Sequence, residues 1–187
     1  HLFSFIKLLK STGVKTFIIH ARKAMLGKFT PKQNLNIPPL KYEMVYKLKK
    51  DFKELNIIIN GGITSTEQIK SHIKKVDGVM MGRAIYHSPY LLADVEKEIF
   101  RNEFVPSRQE VVENLVMYLK NEIKKGTRVN QIMRHTLGLF HGQTGSNFWK
   151  RYLSQNMCVR DADIQKVDHI LDKIKLNHVT QPTGQID

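Results

Sequence analysis

Ile57-Ile58-Ile59-Asn60-Gly61-Gly62 is a β-branched run that stops abruptly at an asparagine and two glycines. Val79-Met80-Met81-Gly82-Arg83 repeats its form further along the chain. A continuous apolar run of this length suits a strand buried on both faces, as in parallel sheets. Thr64-Ser65-Thr66-Glu67 follows the first run and reads as a capping box, with Thr64 and Glu67 serving the orphan amides of a helix. The pattern is thus strand, glycine loop, helix, strand, glycine loop, helix. Two glycine loops on neighbouring parallel strands open at one sheet edge, where backbone amides can hold a phosphate. The alternative is that the glycines only make tight turns.

Working towards the N-terminus, a basic helix is expected from Tyr42 to Phe52, with Met44, Val45, Leu48 and Phe52 as its apolar face. Residues 24–40 contain Pro31, Pro38 and Pro39 and read as a long irregular connection, a length usually tied to function. Before it, Val14 to Ile19 forms a strand ending in His20-Ala21-Arg22-Lys23, and residues 2–11 form an amphipathic helix stopped at Gly13. Strands at 56–59 and 76–81, with helices near 65–74 and 89–101, complete three βα units. The chain begins at His1 inside a helical pattern, as a piece of a longer protein would.

Beyond Asn102-Glu103-Phe104-Val105-Pro106 the strand signal ends. Ser107-Arg108-Gln109-Glu110 is a second capping box, opening a helix that stops at Gly126, and helices near 129–141, 146–156 and 161–175 follow. The expected division is residues 1–104, α/β, and 105–187, an all-α bundle with a flexible tail after about residue 176.

The 187 residues carry 30 Lys+Arg against 17 Asp+Glu, a net charge of +13, which favours a polyanionic partner such as nucleic acid. The single cysteine, Cys158, excludes an internal disulfide and suits a reducing cytoplasm. No apolar run approaches the roughly 20 residues that span a bilayer, and the histidines show no metal-ligand spacing.

His20 meets the glycine loops at the same sheet edge and can donate to a phosphate or ring carbonyl. Asn60 can serve a heterocycle edge, Gly61 and Gly62 permit close backbone approach, and Gly82 with Arg83 offers an amide beside a fork of donors. Lys23, Lys28 and Lys32 on the long loop are candidates for phosphate-backbone contacts, whereas the lysines of the 41–53 helix read as a solvated face. In Asn147-Phe148-Trp149-Lys150-Arg151-Tyr152 the aromatics read as core, with Lys150 and Arg151 exposed. Cys158 has no histidine–carboxylate constellation around it and reads as structural.

Taken in order, His20-Ala21-Arg22-Lys23-Ala24, Pro31-Lys32-Gln33-Asn34, Ile37-Pro38-Pro39-Leu40, Ile59-Asn60-Gly61-Gly62-Ile63 and Asp77-Gly78-Val79-Met80-Met81-Gly82-Arg83 resemble the tRNA-dihydrouridine synthases. Subfamily A, which acts on uridines 20 and 20a, is the nearest. Met133 to Phe140 and Trp149 to Ser154 extend the likeness, which fades after about residue 175. The resemblance implies a TIM (β/α)8 barrel, of which this chain holds about three C-terminal βα units, followed by a helical tRNA-binding domain.

It also implies FMN, reduced by NADPH, with His20, Asn60, Gly61, Gly62, Gly82 and Arg83 on the FMN-contacting positions. The flavin gives hydride to a flipped-out uridine and a cysteine acid completes the reduction. That cysteine, the fifth-strand lysine and the first five strands belong to an N-terminal part outside this chain, so no catalytic residue is assigned here. Of four positions that orient tRNA, Lys32 and Lys150 keep a cation, whereas Leu35 and Asn147 do not. The alternatives are a tRNA-binding remnant without flavin chemistry, or another phosphate-binding barrel enzyme. An unclosed set of βα units is expected to expose strand edges and to need its missing half for solubility.

Overall fold

The computed structural model describes residues 1–156. They fall into two compact units, His1–Ala84 and the chain from Ile85 onward. The composition change at 102–106 lies within the second unit.

The first unit is α/β. Strands β1 (Thr16–His20), β2 (Asn56–Asn60) and β3 (Gly78–Met80) form a parallel sheet in the order β1-β2-β3. The register sets Ile18 against Ile58 and His20 against Asn60, and Asn60 in turn against Met80. Helix α1 (Leu2–Ser11) precedes the sheet, and α3 (Tyr42–Asp51) and α4 (Thr66–His72) pack against β2 and β3. One sheet face buries Phe17, Ile57 and Ile59, and Ile6, Val45, Leu48 and Ile69 complete this core. Each such side chain contributes about 1.5–3 kcal/mol by leaving water. Alternation puts Ile18 and Met80 on the other face, where they are 57% and 38% exposed.

The helix near 65–74 begins one residue later than the sequence pattern implies. Ser65 is the N-cap, its hydroxyl accepting from the Gln68 amide at 3.3 Å, while Gln68 Oε1 accepts from the Thr64 amide at 2.7 Å. Ser65 caps the helix in place of Thr64, and Gln68 reaches past the N-cap to the Thr64 amide, so the box expected of Thr64 and Glu67 does not form. The long connection is also less irregular than its prolines suggest. Thr30 and Gln33 make a reciprocal capping box over a short helix, α2 (Pro31–Asn34), with proline at its first position. The third strand is shorter than 76–81. Asp77 uses its side chain to accept the Ile57 amide at 2.8 Å, and ladder pairing starts at Gly78.

In the second unit, the helix expected near 89–101 runs over a shorter span after Pro89, and a short helix not expected from the sequence precedes it. Residues Arg83–His87 form the short α5, which begins at the end of the first unit, and Leu91–Glu98 form α6. The Ser107 box stands as expected and opens α7 (Arg108–Lys124). Helix α8 (Val129–Met133) is shorter than 129–141, because turns follow it as far as Gly145. Gly138 there lies so close to the chain that an added Cβ would stand 2.1 Å from the His87 carbonyl oxygen. Helix α9 (Ser146–Asn156) completes a core of Val112, Val116, Leu119, Met133, Trp149 and Leu153. Trp149 donates its indole N–H to the Thr136 carbonyl at 2.9 Å, so the large ring is buried with its polar atom satisfied. The helix expected at 161–175 and Cys158 lie outside the described residues.

Candidate functional site

Parallel strands that end together bring their following loops together. His20 and Asn60 are register partners at the ends of β1 and β2, and the Ala21 amide donates to the Asn60 carbonyl at 2.7 Å just beyond. Gly61 and Gly62 then turn with φ of 123° and 68°, a region that side chains with a Cβ rarely enter. A Cβ on Gly62 would also meet Leu40 Cδ1 at 2.6 Å, so the turn is held tightly against the loop residue Leu40. Below it, the Tyr42 hydroxyl donates to the Gly61 carbonyl at 2.7 Å. The Tyr42 ring lies edge-on to buried His72, with centroids 4.5 Å apart, and Tyr46 Oη sits 2.7 Å from His72 Nδ1. Helices α3 and α4 thus set the height of the glycine turn from behind.

Arg22 and Arg83 place positive charge beside His20 at this edge. Desolvation, and after it the charges of Arg22 and Arg83, hold the His20 imidazole below its ordinary value. Its Nδ1 accepts the Arg22 amide at 3.3 Å, which leaves the proton of the neutral ring on Nε2. His20 is therefore a neutral donor. Arg22 Nη1 reaches the Asn36 carbonyl at 3.1 Å and the Pro38 carbonyl, while its buried Nε has no partner among the described residues. Arg83, at the start of α5, donates to Asn36 Oδ1 and, at 3.2 Å, to the Leu35 carbonyl. Gly82 beside it is open, with nothing within 4 Å of a Cβ built there.

His20, Asn60, Gly61, Gly62, Gly82 and Arg83 accordingly share one sheet edge. Lys32 and Leu35 lie on the loop tied to that edge, both exposed. Asn147 and Lys150 lie in the second unit, one turn apart and exposed on α9, and Arg151 is exposed beside them. Trp149 and Leu153 are core, and Phe148 and Tyr152 are half-buried.

Asn36, Leu40 and Tyr42 were given no role in the site from the sequence, because no local pattern separates them from ordinary loop and helix-start residues. Arg22 is the exception: two residues beyond His20 on an extended segment, it returns to the same side of the chain. Lys49, one of the lysines of α3, is structural, pairing with Asp77 at 2.8 Å and donating to two carbonyls of the following turn. Among the described residues, no cluster of His, Cys, Asp and Glu can hold a metal, and no helix is long and apolar enough to cross a membrane.

Comparison with known proteins bears on what such an edge serves. The family model described as dihydrouridine synthase matches residues 1–175. A tRNA-dihydrouridine(20/20a) synthase of Synechocystis sp. is 48% identical over 162 residues, covering 86% of this chain and 48% of the relative. Proteins of the same description from Haemophilus ducreyi and Shewanella oneidensis are 46% and 44% identical, over 83% and 95% of this chain. The chain spans about half the length of these relatives, 48% and 53% for the latter two. With a matched model over most of its length and relatives this similar, the chain belongs to the dihydrouridine synthase family.

Proposed function

We propose that this chain supplies one wall of the FMN site and part of the tRNA surface of an enzyme that reduces uridine to dihydrouridine in the tRNA D-loop, at positions 20 and 20a. The observation that carries this reading is the convergence of His20, the Asn60-Gly61-Gly62 turn and Gly82-Arg83 at the C-terminal edge of a parallel sheet. Barrel enzymes place phosphate sites at that edge. The exposed Ile18 and Met80 fit a sheet face that points into a barrel. The donor set suits the group: the uncrowded backbone at Gly82, the guanidinium of Arg83, the unpartnered Nε of Arg22 and the Nε2–H of a neutral His20.

Gly61, Gly62, Gly82 and Arg83 would hold the FMN phosphate, and His20 and Asn60 would lie nearer the ring. Bound FMN, reduced by NADPH, supplies the hydride for the uridine. His20 orients an acceptor by donating from Nε2, and the arginines neutralise phosphate charge. No catalytic acid is assigned in this chain, which alone is expected to be inactive. The residues after about 104 form the tRNA-binding helical domain, where Lys150, Asn147 and the cations near them contact the tRNA backbone, as Lys32 and Leu35 do from the loop. A net charge of +13 supports a polyanionic substrate, and the single cysteine suits a reducing cytoplasm.

The test compares two variants of the full-length protein carrying this chain. Arg83→Ala is expected to lose flavin absorbance after desalting while binding tRNA. Lys150→Ala is expected to keep flavin and bind tRNA more weakly, with a shallower salt dependence. If both variants change only the melting temperature, the assignment is wrong.

A further inference from the structure

Two arginines of the cofactor edge hold the same short piece of loop, residues 35–38. Arg22 Nη1 bonds the backbone carbonyls of Asn36, at 3.1 Å, and Pro38. Arg83 bonds the Asn36 side-chain oxygen and the Leu35 carbonyl. Asn36 also donates its Nδ2 to the Lys32 carbonyl at 3.3 Å, so one side chain joins Arg83 to α2. Asn34 stiffens the other side of the loop, its Oδ1 accepting the Met25 amide at 2.8 Å and its Nδ2 donating to the Phe29 carbonyl at 3.1 Å. The long connection so braced at its C-terminal end follows Lys23 and carries Lys28 and Lys32, all exposed. Arg22 Nη1 and Arg83 are therefore committed partly to the loop rather than wholly to a ligand.

An arginine has five N–H donors in a planar fork, and Arg83 spends only its two Nη groups, one bond each, on the loop. The remaining N–H groups can take a phosphate at the same time. A phosphate that fixes the guanidinium removes side-chain freedom that the loop bond would otherwise have to remove, and so the second contact forms more readily.

We infer that Asn36 is a positioning residue that couples cofactor occupancy to the order of the cationic loop, through its shared bond with Arg83. This rests on the FMN reading above. Occupancy of the phosphate site stiffens the loop that meets tRNA, and by linkage tRNA binding tightens FMN by the same factor.

Limited trypsin digestion of the full-length protein carrying this chain, with and without FMN, reads the coupling at Lys28 and Lys32. FMN is expected to slow cleavage there about tenfold, the factor that ordering one long side chain and its charged hydrogen bond supports. Asn36→Ala is expected to keep its flavin absorbance and lose this FMN-dependent protection. Asn36→Gln, which retains both an acceptor for Arg83 and a donor for the Lys32 carbonyl, is expected to restore it. Protection that persists in Asn36→Ala, or a wild type that binds FMN with unchanged cleavage, overturns the coupling while leaving the cofactor reading intact. A wild type that takes up no FMN overturns both. Should Asn36→Ala not fold, loss of protection in Asn36→Gln overturns the inference, and its retention together with FMN-tightened tRNA binding supports it.

Discussion

Tyr42→Phe removes one oxygen from behind the glycine turn and leaves the rest of the packing in place. The Tyr42 hydroxyl donates to the Gly61 carbonyl at 2.7 Å, Gly61 is buried, and the ring contact with His72 at 4.5 Å does not depend on the hydroxyl. Burial already pushes the phenol above its ordinary value, so the group is the neutral donor throughout the working range. The loss is that of a largely desolvated acceptor bond, about 1–2 kcal/mol. Chemical denaturation of the full-length protein should therefore show a lower midpoint with an unchanged slope. If the turn must keep its height to hold a phosphate, FMN affinity measured by flavin fluorescence falls about tenfold in parallel. A variant within about 0.5 kcal/mol of wild type, with unaltered FMN affinity, would refute the claim that α3 sets the turn.

Gly138→Ala places a Cβ where 2.1 Å separates it from the His87 carbonyl oxygen, so thermal unfolding should shift to lower temperature by the equivalent of about 1–3 kcal/mol; an unchanged melt excludes the close approach. Burial, then the charge of Lys75, lowers the His72 pKa below 6.5, so the folded state disfavours the imidazolium. Stability is full above that value and declines as pH falls from it towards the depressed folded pKa, a slope that His72→Gln should abolish. At Asp77 burial opposes ionisation, but the Lys49 ammonium and the Ile57 amide outweigh it and hold the carboxyl below 3.8. Its contribution is present above 3.8 and lost as pH falls through the folded value, so acid titration of Asp77→Asn should show a shallower loss than wild type.

The α/β character of the first unit was legible because the continuous run Ile57-Ile58-Ile59 marks a strand of a parallel sheet, although among the described residues only the Ile57 and Ile59 face is buried and Ile58 is half-buried. The Ser107 box was legible because all its partners lie within four residues. The Thr64 box did not form because Ser65 can cap the same helix as well as Thr64, and only the packed backbone chooses between them. That six candidate residues meet at one sheet edge was legible in the same way, from glycine and polar residues directly following strands. Asn36, Leu40 and Tyr42 were not, since each acts on residues 19 to 47 positions distant.

What the sequence by itself determined was the order of strands and helices, the positive charge and the set of residues delivered to strand ends, all consequences of local periodicity and composition. Tertiary structure alone decided that Arg22 and Arg83 converge on one loop, that Tyr42 holds the Gly61 turn, and that His20 is a neutral Nε2 donor. Those outcomes depend on distance and desolvation between segments far apart in the chain, and neither quantity exists until the sheet aligns β1, β2 and β3 in register.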